Sequence, residues 1–197
     1  MAKLHNLSDY DLVKQFINGN ERCIEQLIKR HKDKVYTYIF LIVKNQELAE
    51  DIFQDTFIKV IKSLKAGKYK EEGRFVSWVI RIAHNLIIDH FRKEKLLKTY
   101  SNDDSEVDLF NSKKFSEGTV EDRLVNSQIT KEVRKLIDEL PDDQREVVIL
   151  RHFVGLSFKE IADQTDVSIN TALGRMRYAL INLRKLIKKK NLNLTKV

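Results

Sequence analysis

Between Glu47 and Lys93 the chain sorts acids and bases onto separate helical faces. In AEDIFQDTFIKVIKSL, the apolar residues Phe53, Phe57, Val60 and Leu64 recur at i, i+4, i+7 and i+11, one face of a 3.6-residue period. The opposite face shows Asp51, Gln54, Asp55, Ile58 and Lys62. In RFVSWVIRIAHNLIIDHFRK, the same reasoning turns Phe75, Val79, Ile82 and Leu86 inward and leaves Ser77, Arg81, His84, Ile88 and Arg92 outside. A module with one acidic face and one basic face suits two partners, one basic and one polyanionic. Covalent chemistry is not indicated, because no nucleophile stands in a constellation with a base. The histidines at 5, 31, 84, 90 and 152 lack metal-ligand spacing to the single cysteine, so neither a metal nor a cofactor is expected. That cysteine, Cys23, excludes an internal disulfide and falls at an apolar helical position, where it is inert.

Elements must carry these residues, and composition says which kind. The 197 residues allow one or two domains, and 42% hydrophobic content suffices for ordinary helical cores. Six glycines, one proline and few alternating stretches predict an all-α chain. A net charge of +7 favours a polyanion: nucleic acid or an anionic membrane surface. No run of 18 apolar residues exists, and MAKLHNLSDYDL has no apolar core for a signal peptide. The expectation is a cytoplasmic protein without membrane insertion.

In order, Ser8 reads as the cap of a helix through LVKQFI that ends at Gly19-Asn20. A longer helix, ERCIEQLIKRHKDKVYTYIFLIV, follows, with Ile24, Leu27, Ile28, Val35, Tyr38 and Ile39 on its core side, and Lys44-Asn45-Gln46 breaks the pattern before the acidic helix. Residues 8–94 thus form a four-helix domain. From Ser101 to Asp122, seven acids and two lysines give a local charge of −5 without sustained periodicity, the composition of a flexible linker.

A second helical domain begins near Val120. Its first helix, EDRLVNSQITKEVRKLIDEL, leads to Pro141 in the first turn of DDQREVVILRHFV, which Gly155 closes. In LSFKEIADQTDVSINTALGRMRYALINLRKLI, Ile161 and Ala162 point inward, Asp166-Val167 makes a tight turn and Ser168 caps the last helix. A short helix, a turn and a long basic helix with a small residue at the crossing is a helix-turn-helix. The last helix buries Ala172, Met176, Ala179, Leu180, Leu183 and Ile187. Asn170, Thr171, Gly174 and Tyr178, flanked by Arg175 and Arg177, are left to meet base edges in the major groove. Gly174 would let the duplex approach closely. Arg184, Lys185 and Lys188 to Lys190 continue the basic run as phosphate contacts, which position without specifying sequence.

The stretch Asp51-Ile-Phe-Gln-Asp-Thr-Phe-Ile-Lys-Val60, followed by Phe75-x-x-Trp78-x-x-x-Ile82-Ala83-x-Asn85-x-x-x-Asp89, resembles the second conserved region of bacterial RNA polymerase sigma factors, in particular the two-domain extracytoplasmic-function (ECF) group. LPDDQREVVILRHFVGLSFKEIA resembles the fourth conserved region. The resemblance implies a sigma factor that binds core RNA polymerase and directs it to specific promoters. Residues 1–95 would bind polymerase and recognise and melt the −10 element, 96–122 would be the acidic linker, and 123–197 would read the −35 element. It places Asp51, Gln54, Asp55 and Ile58 against the β′ clamp helices, with further contact to the β subunit. It places −10 recognition on the loop Lys65 to Gly73 and the following helix. There Lys68, Tyr69, Lys70 and Arg74 suit a flipped base and its backbone, and Arg81, His84, Asn85 and Arg92 line the strand's track. Trp78, beside the apolar stripe, is read as core. The linker, with Leu109, Phe110 and Phe115, would pass through the polymerase's RNA path as an RNA mimic. An anti-sigma factor or another recruiting factor is a further partner that relatives commonly use.

Two departures from the family pattern stand out. Asp166 replaces the usual turn glycine, and aspartate tolerates the left-handed backbone better than most residues. Leu173 and Gly174 stand where relatives carry a basic residue and a hydroxyl, so their promoter sequences do not transfer. A stand-alone helix-turn-helix regulator of duplex DNA is the alternative. It accounts for residues 125–190 and for nothing in 47–93.

Overall fold

The computed structural model describes residues 4–70, 73–100 and 128–192. The acidic stretch Ser101 to Asp122, read above as a linker, lies outside the described residues. All described regular structure is helical, and the chain divides into two compact units between Ser116 and Glu117.

The first unit holds a short 3-10 turn, Leu4–Asn6, and four helices: α1 (Asp9–Ile17), α2 (Arg22–Val43), α3 (Gln46–Lys65) and α4 (Phe75–Tyr100). Side-chain caps set two of the starts. Ser8 Oγ accepts from the Asp11 amide at 3.1 Å, and Asn45 Oδ1 accepts from Leu48 at 3.1 Å, each satisfying a donor that the first helical turn leaves open. Lys44, at φ 52, supplies the left-handed residue that ends α2, as the break at 44–46 anticipated.

α2 is the central helix and packs against each of the other three. Its buried side is Cys23, Ile24, Leu27, His31, Val35, Tyr38, Ile39, Leu41, Ile42 and Val43; Ile28, expected in the core, is half-buried. α3 buries Ala49, Ile52, Thr56, Phe57, Val60 and Leu64. The Thr56 hydroxyl is satisfied inside the core by donating to the Ile52 carbonyl at 2.6 Å. Phe53 sits at the edge of this stripe, half-buried, with its ring 5.9 Å from Tyr36 and 4.9 Å from Phe57.

α4 departs from the expected face. Phe75, Val79, Ile80, Ala83, Ile87 and Phe91 are buried, whereas Ile82 and Leu86 are only half-buried. Nearly every turn of α4 carries apolar residues on several sides, so periodicity alone did not fix the rotation. Packing against both α2 and α3 decided it.

The second unit holds α5 (Gln128–Asp138), α6 (Asp142–Val148), α7 (Phe158–Thr165) and α8 (Ile169–Lys189). Pro141 occupies the cap position, one residue earlier than expected, at φ −52 and ψ 147. α6 does not run unbroken to Gly155: from Ile149 to Val154 the coil widens into a π turn. The Gly155 and Leu156 amides both donate to the Leu150 carbonyl, at 3.1 and 3.0 Å. Arg151, exposed on this turn, donates to the Leu156 carbonyl at 2.8 Å and lies 5.0 Å from the Phe158 ring, bracing the entry to α7.

The α7–α8 pair has the geometry of a helix-turn-helix. Ser157 and Glu160 form a reciprocal capping box at the start of α7. Asp166, at φ 53 and ψ 47, makes the left-handed turn without glycine. Ser168 caps α8 by accepting from Thr171 at 3.0 Å. Ala162 and Ala172, at 3% and 0% exposure, let the two helices cross closely.

Candidate partner and nucleic-acid interfaces

On α3 the buried stripe leaves Asp51, Gln54, Asp55 and Ile58 together on the outer side, all exposed. Ile58 is 48% exposed, an apolar residue within an acidic surface.

Arg74, the residue just before α4, and Arg81, Asn85 and Arg92 on α4 are exposed. Their offsets of 7, 11 and 18 residues return close to one direction in a 3.6-residue period, so they form a line about 27 Å long. Arg92 also lies 3.6 Å from Asp89 on its own helix. His84 does not join this line. It is half-buried and hydrogen-bonded through Nδ1 to the Tyr38 hydroxyl at 2.9 Å, so it serves the α2–α4 contact instead. The reason is the rotation of α4 noted above, which brings position 84 toward α2.

The loop before α4 offers Lys68 and Lys70 to solvent. Tyr69 between them folds back: its ring is 4.4 Å from Trp78 and edge-on to Phe75 at 5.9 Å. Trp78 is half-buried in this cluster, in keeping with a packing role. Tyr69 therefore cannot offer both faces to a base.

On α8, Asn170, Thr171, Arg177 and Tyr178 are exposed, with Tyr178 at 61%. The Thr171 hydroxyl is hydrogen-bonded to Ser168 at 2.8 Å, so it is already part of the cap. A Cβ added to Gly174 would meet nothing within 4 Å, so no neighbour in the protein demands glycine there. Leu180, expected in the buried stripe, is 41% exposed, and Leu183 and Ile187 are half-buried. Burial narrows to Ala172, Met176 and Ala179 because packing on α8 is concentrated in its first half.

One flank of α8 is gripped by Glu139, in the turn after α5, and by Asp143 and Gln144 in the first turn of α6. Asp143 lies 3.3 Å from Arg175 Nε, Asn182 donates to Gln144 Oε1 at 2.9 Å, and Lys190 pairs with Glu139. Arg175 thus sits at the side of the reading face and is held by an acid, while Arg184 and Lys185 remain exposed. Sequence reasoning missed this grip, since nothing in the spacing joins 139–144 to 175–190.

Among the described residues there is no group of three or more His, Cys, Asp or Glu able to hold a metal ion, and no helix long and apolar enough to cross a membrane. The described residues thus hold an acidic face on α3, an exposed row of bases along α4 and a helix-turn-helix. The family model for Sigma-70 region 2 matches residues 27–96, and that for Sigma-70, region 4, matches 130–178; together they span more than half of the chain. The chain is 29% identical to the RNA polymerase sigma factor CarQ of Myxococcus xanthus, over 89% of this chain and 95% of that one. It is also 29% identical to the ECF RNA polymerase sigma factor SigW of Bacillus subtilis, over 88% and 93%. Two solved structures share the fold: CnrH in complex with the cytosolic domain of CnrY (TM-score 0.62, 24% identity, 92% of this chain and 97% of that one), and the sigma factor RpoE of Bartonella quintana in complex with the anti-sigma factor NepR (0.65, 20%, 83% and 96%). The chain belongs to the sigma-70 family as a sigma factor of the ECF group, a non-enzymatic initiation factor that binds core RNA polymerase and directs it to promoter DNA.

Proposed function

We propose a division of that activity among named residues. Asp51, Gln54, Asp55 and Ile58 on α3 bind core polymerase at the β′ clamp helices. Lys68, Tyr69 and Lys70 of the loop, with Arg74, Arg81, Asn85 and Arg92 along α4, hold the melted −10 strand. Asn170, Thr171, Gly174, Arg177 and Tyr178 face the −35 base edges, Arg175 reaches them from the flank, and Arg184, Lys185, Lys188 and Lys189 meet phosphates. On this reading residues 1–95 serve polymerase and the −10 element, 123–197 serve the −35 element, and 96–122 connect them.

The observation that carries the reading is the separation of charge within one compact unit: the exposed acids of α3 and the exposed line of bases on α4 belong to neighbouring helices. A polyanion would be repelled by the first and drawn to the second. The protein acts in the cytoplasm, where polymerase is. RpoE of Bartonella quintana has been solved in complex with the anti-sigma factor NepR, and a restraining or recruiting protein is proposed for this chain as well.

Asp51 and Asp55 stand one turn apart on an exposed face, so one basic surface engages both. Reversing both to lysine lowers affinity for core polymerase by about a hundredfold, with helical content unchanged by circular dichroism. A double variant that co-elutes with core polymerase as the wild type does removes this face from the interface.

A further inference from the structure

A column of contacts that none of the foregoing functions uses runs from the chain's N-terminal helix to the −10 loop. Asp9, in the first turn of α1, accepts from Arg30 Nη1 at 2.5 Å and from His31 Nε2 at 2.8 Å, both on α2. Arg30 also donates to the carbonyls of Leu7 at 2.8 Å and His5 at 3.1 Å, tying down the segment that leads into α1. His31 is only 7% exposed. A buried imidazole needs a partner for its N–H, and Asp9 supplies it, fixing the plane of the ring.

That ring lies 5.6 Å from the ring of Phe75, the first residue of α4, which is 2% exposed. Phe75 is met in turn by Tyr69 at 5.9 Å and Trp78 at 6.0 Å, and those two rings lie 4.4 Å apart. Among the described residues from Ala66 to Arg74, Tyr69 alone is not exposed. Among the loop's described residues, Tyr69 is thus the side chain that packs onto the domain, and its ring rests on the cluster that His31 completes.

We propose that Asp9 and His31 are positioning residues for single-strand recognition. They fix Phe75, and Phe75 fixes Tyr69 and Trp78, so that Lys68 and Lys70 meet the −10 strand from a loop shaped before the DNA arrives. Preorganisation matters here because a loop held in one shape fits one base better than the others, whereas a loop free to take several shapes adapts to wrong bases almost as well as to the right one. This rests on the reading that the loop meets the −10 strand.

The test uses holoenzyme assembled from core polymerase and the full chain. Its affinity is measured for single-stranded −10 oligonucleotides that differ at one base, and the readout is the ratio of best to worst base. Asp9→Ala and His31→Ala are expected to lower that ratio by about fivefold, with core-polymerase affinity held within about twofold. Asp9→Asn, which keeps an acceptor for the imidazole N–H, retains most of the ratio. An unchanged ratio in Asp9→Ala and His31→Ala overturns the proposal. So does a parallel loss of base ratio and polymerase affinity, which marks a merely structural role. Should His31→Ala fail to assemble, Asp9→Ala, at a partly exposed site, decides by the same ratio. Tyr69→Ala separates the two layers of argument. If it flattens the ratio and the Asp9 and His31 variants do not, only the column fails. If Tyr69→Ala also leaves the ratio intact, the loop itself does not read the strand.

Discussion

Single residues show how closely the first unit balances burial against charge. Burial pushes the Asp9 carboxyl up, but the hydrogen bonds from His31 and Arg30 and their charges outweigh it, leaving Asp9 below its ordinary value of 3.8. A carboxyl depressed by folding adds stability above its unfolded pKa, and that stability is lost as pH falls through its folded value. The window is thus acid, beginning near pH 4. Cys23 provides a probe within the same unit. It is 0% exposed, its thiol is pushed above 9.0 by burial, and it donates to Gln15 Oε1 at 3.6 Å. Labelling by a dithiodipyridine, which reacts with thiols in acid, requires the unit to open. Between pH 5 and pH 3 the labelling rate of the wild type should rise several-fold more than that of Asp9→Asn, which has no carboxyl to protonate at this position. Equal acceleration in both would place the acid sensitivity elsewhere.

At the scale of the element, α8 carries a helix-interior glycine that no contact within the protein requires. Gly174→Ala should stabilise the second unit by up to about 1 kcal/mol, read from thermal unfolding, while weakening −35 duplex binding if DNA approaches the helix there. Stabilisation with unchanged binding would remove Gly174 from the interface. The helices themselves were largely legible from sequence. The acidic face of α3 was readable because its polar side is continuous and its apolar side narrow. The helix-turn-helix was readable because Ser168, Asp166 and the small alanines are local signals. The capping box at Ser157 and Glu160 was equally local and went unread. The face of α4 was ambiguous, since a shift of one residue turns a helix by about 100° and still buries apolar side chains; His84 was misplaced with it. The π turn at 149–154, the Asp9–His31 pair and the grip on α8 depend on residues far apart in the chain or on the hydrogen bonding of a single turn, and no periodicity reports these.

The whole molecule carries a net charge of +7, but charge counted along a chain is not charge available to a ligand. From Arg175 to Lys190 there are seven basic residues and no acid, yet Arg175 and Lys190 already face Asp143 and Glu139. These two cations bring their own counterions. A cation that stays with its carboxylate neutralises no phosphate and displaces no condensed cation from the DNA, so it adds nothing to the salt dependence of binding. The slope of log affinity against log salt should therefore fall by about 0.9 in Lys188→Ala and hardly change in Lys190→Ala. In Glu139→Gln it should steepen, because Lys190 can then neutralise a phosphate and displace a condensed cation from the DNA. Equal slopes for Lys188→Ala and Lys190→Ala would show the pairing with Glu139 to be idle. Since affinity for non-promoter DNA rests mainly on this slope, slopes ordered in this way would make the acids at 139 and 143 a brake on indiscriminate binding, one that shortens the time the protein spends on the many wrong sites of a genome.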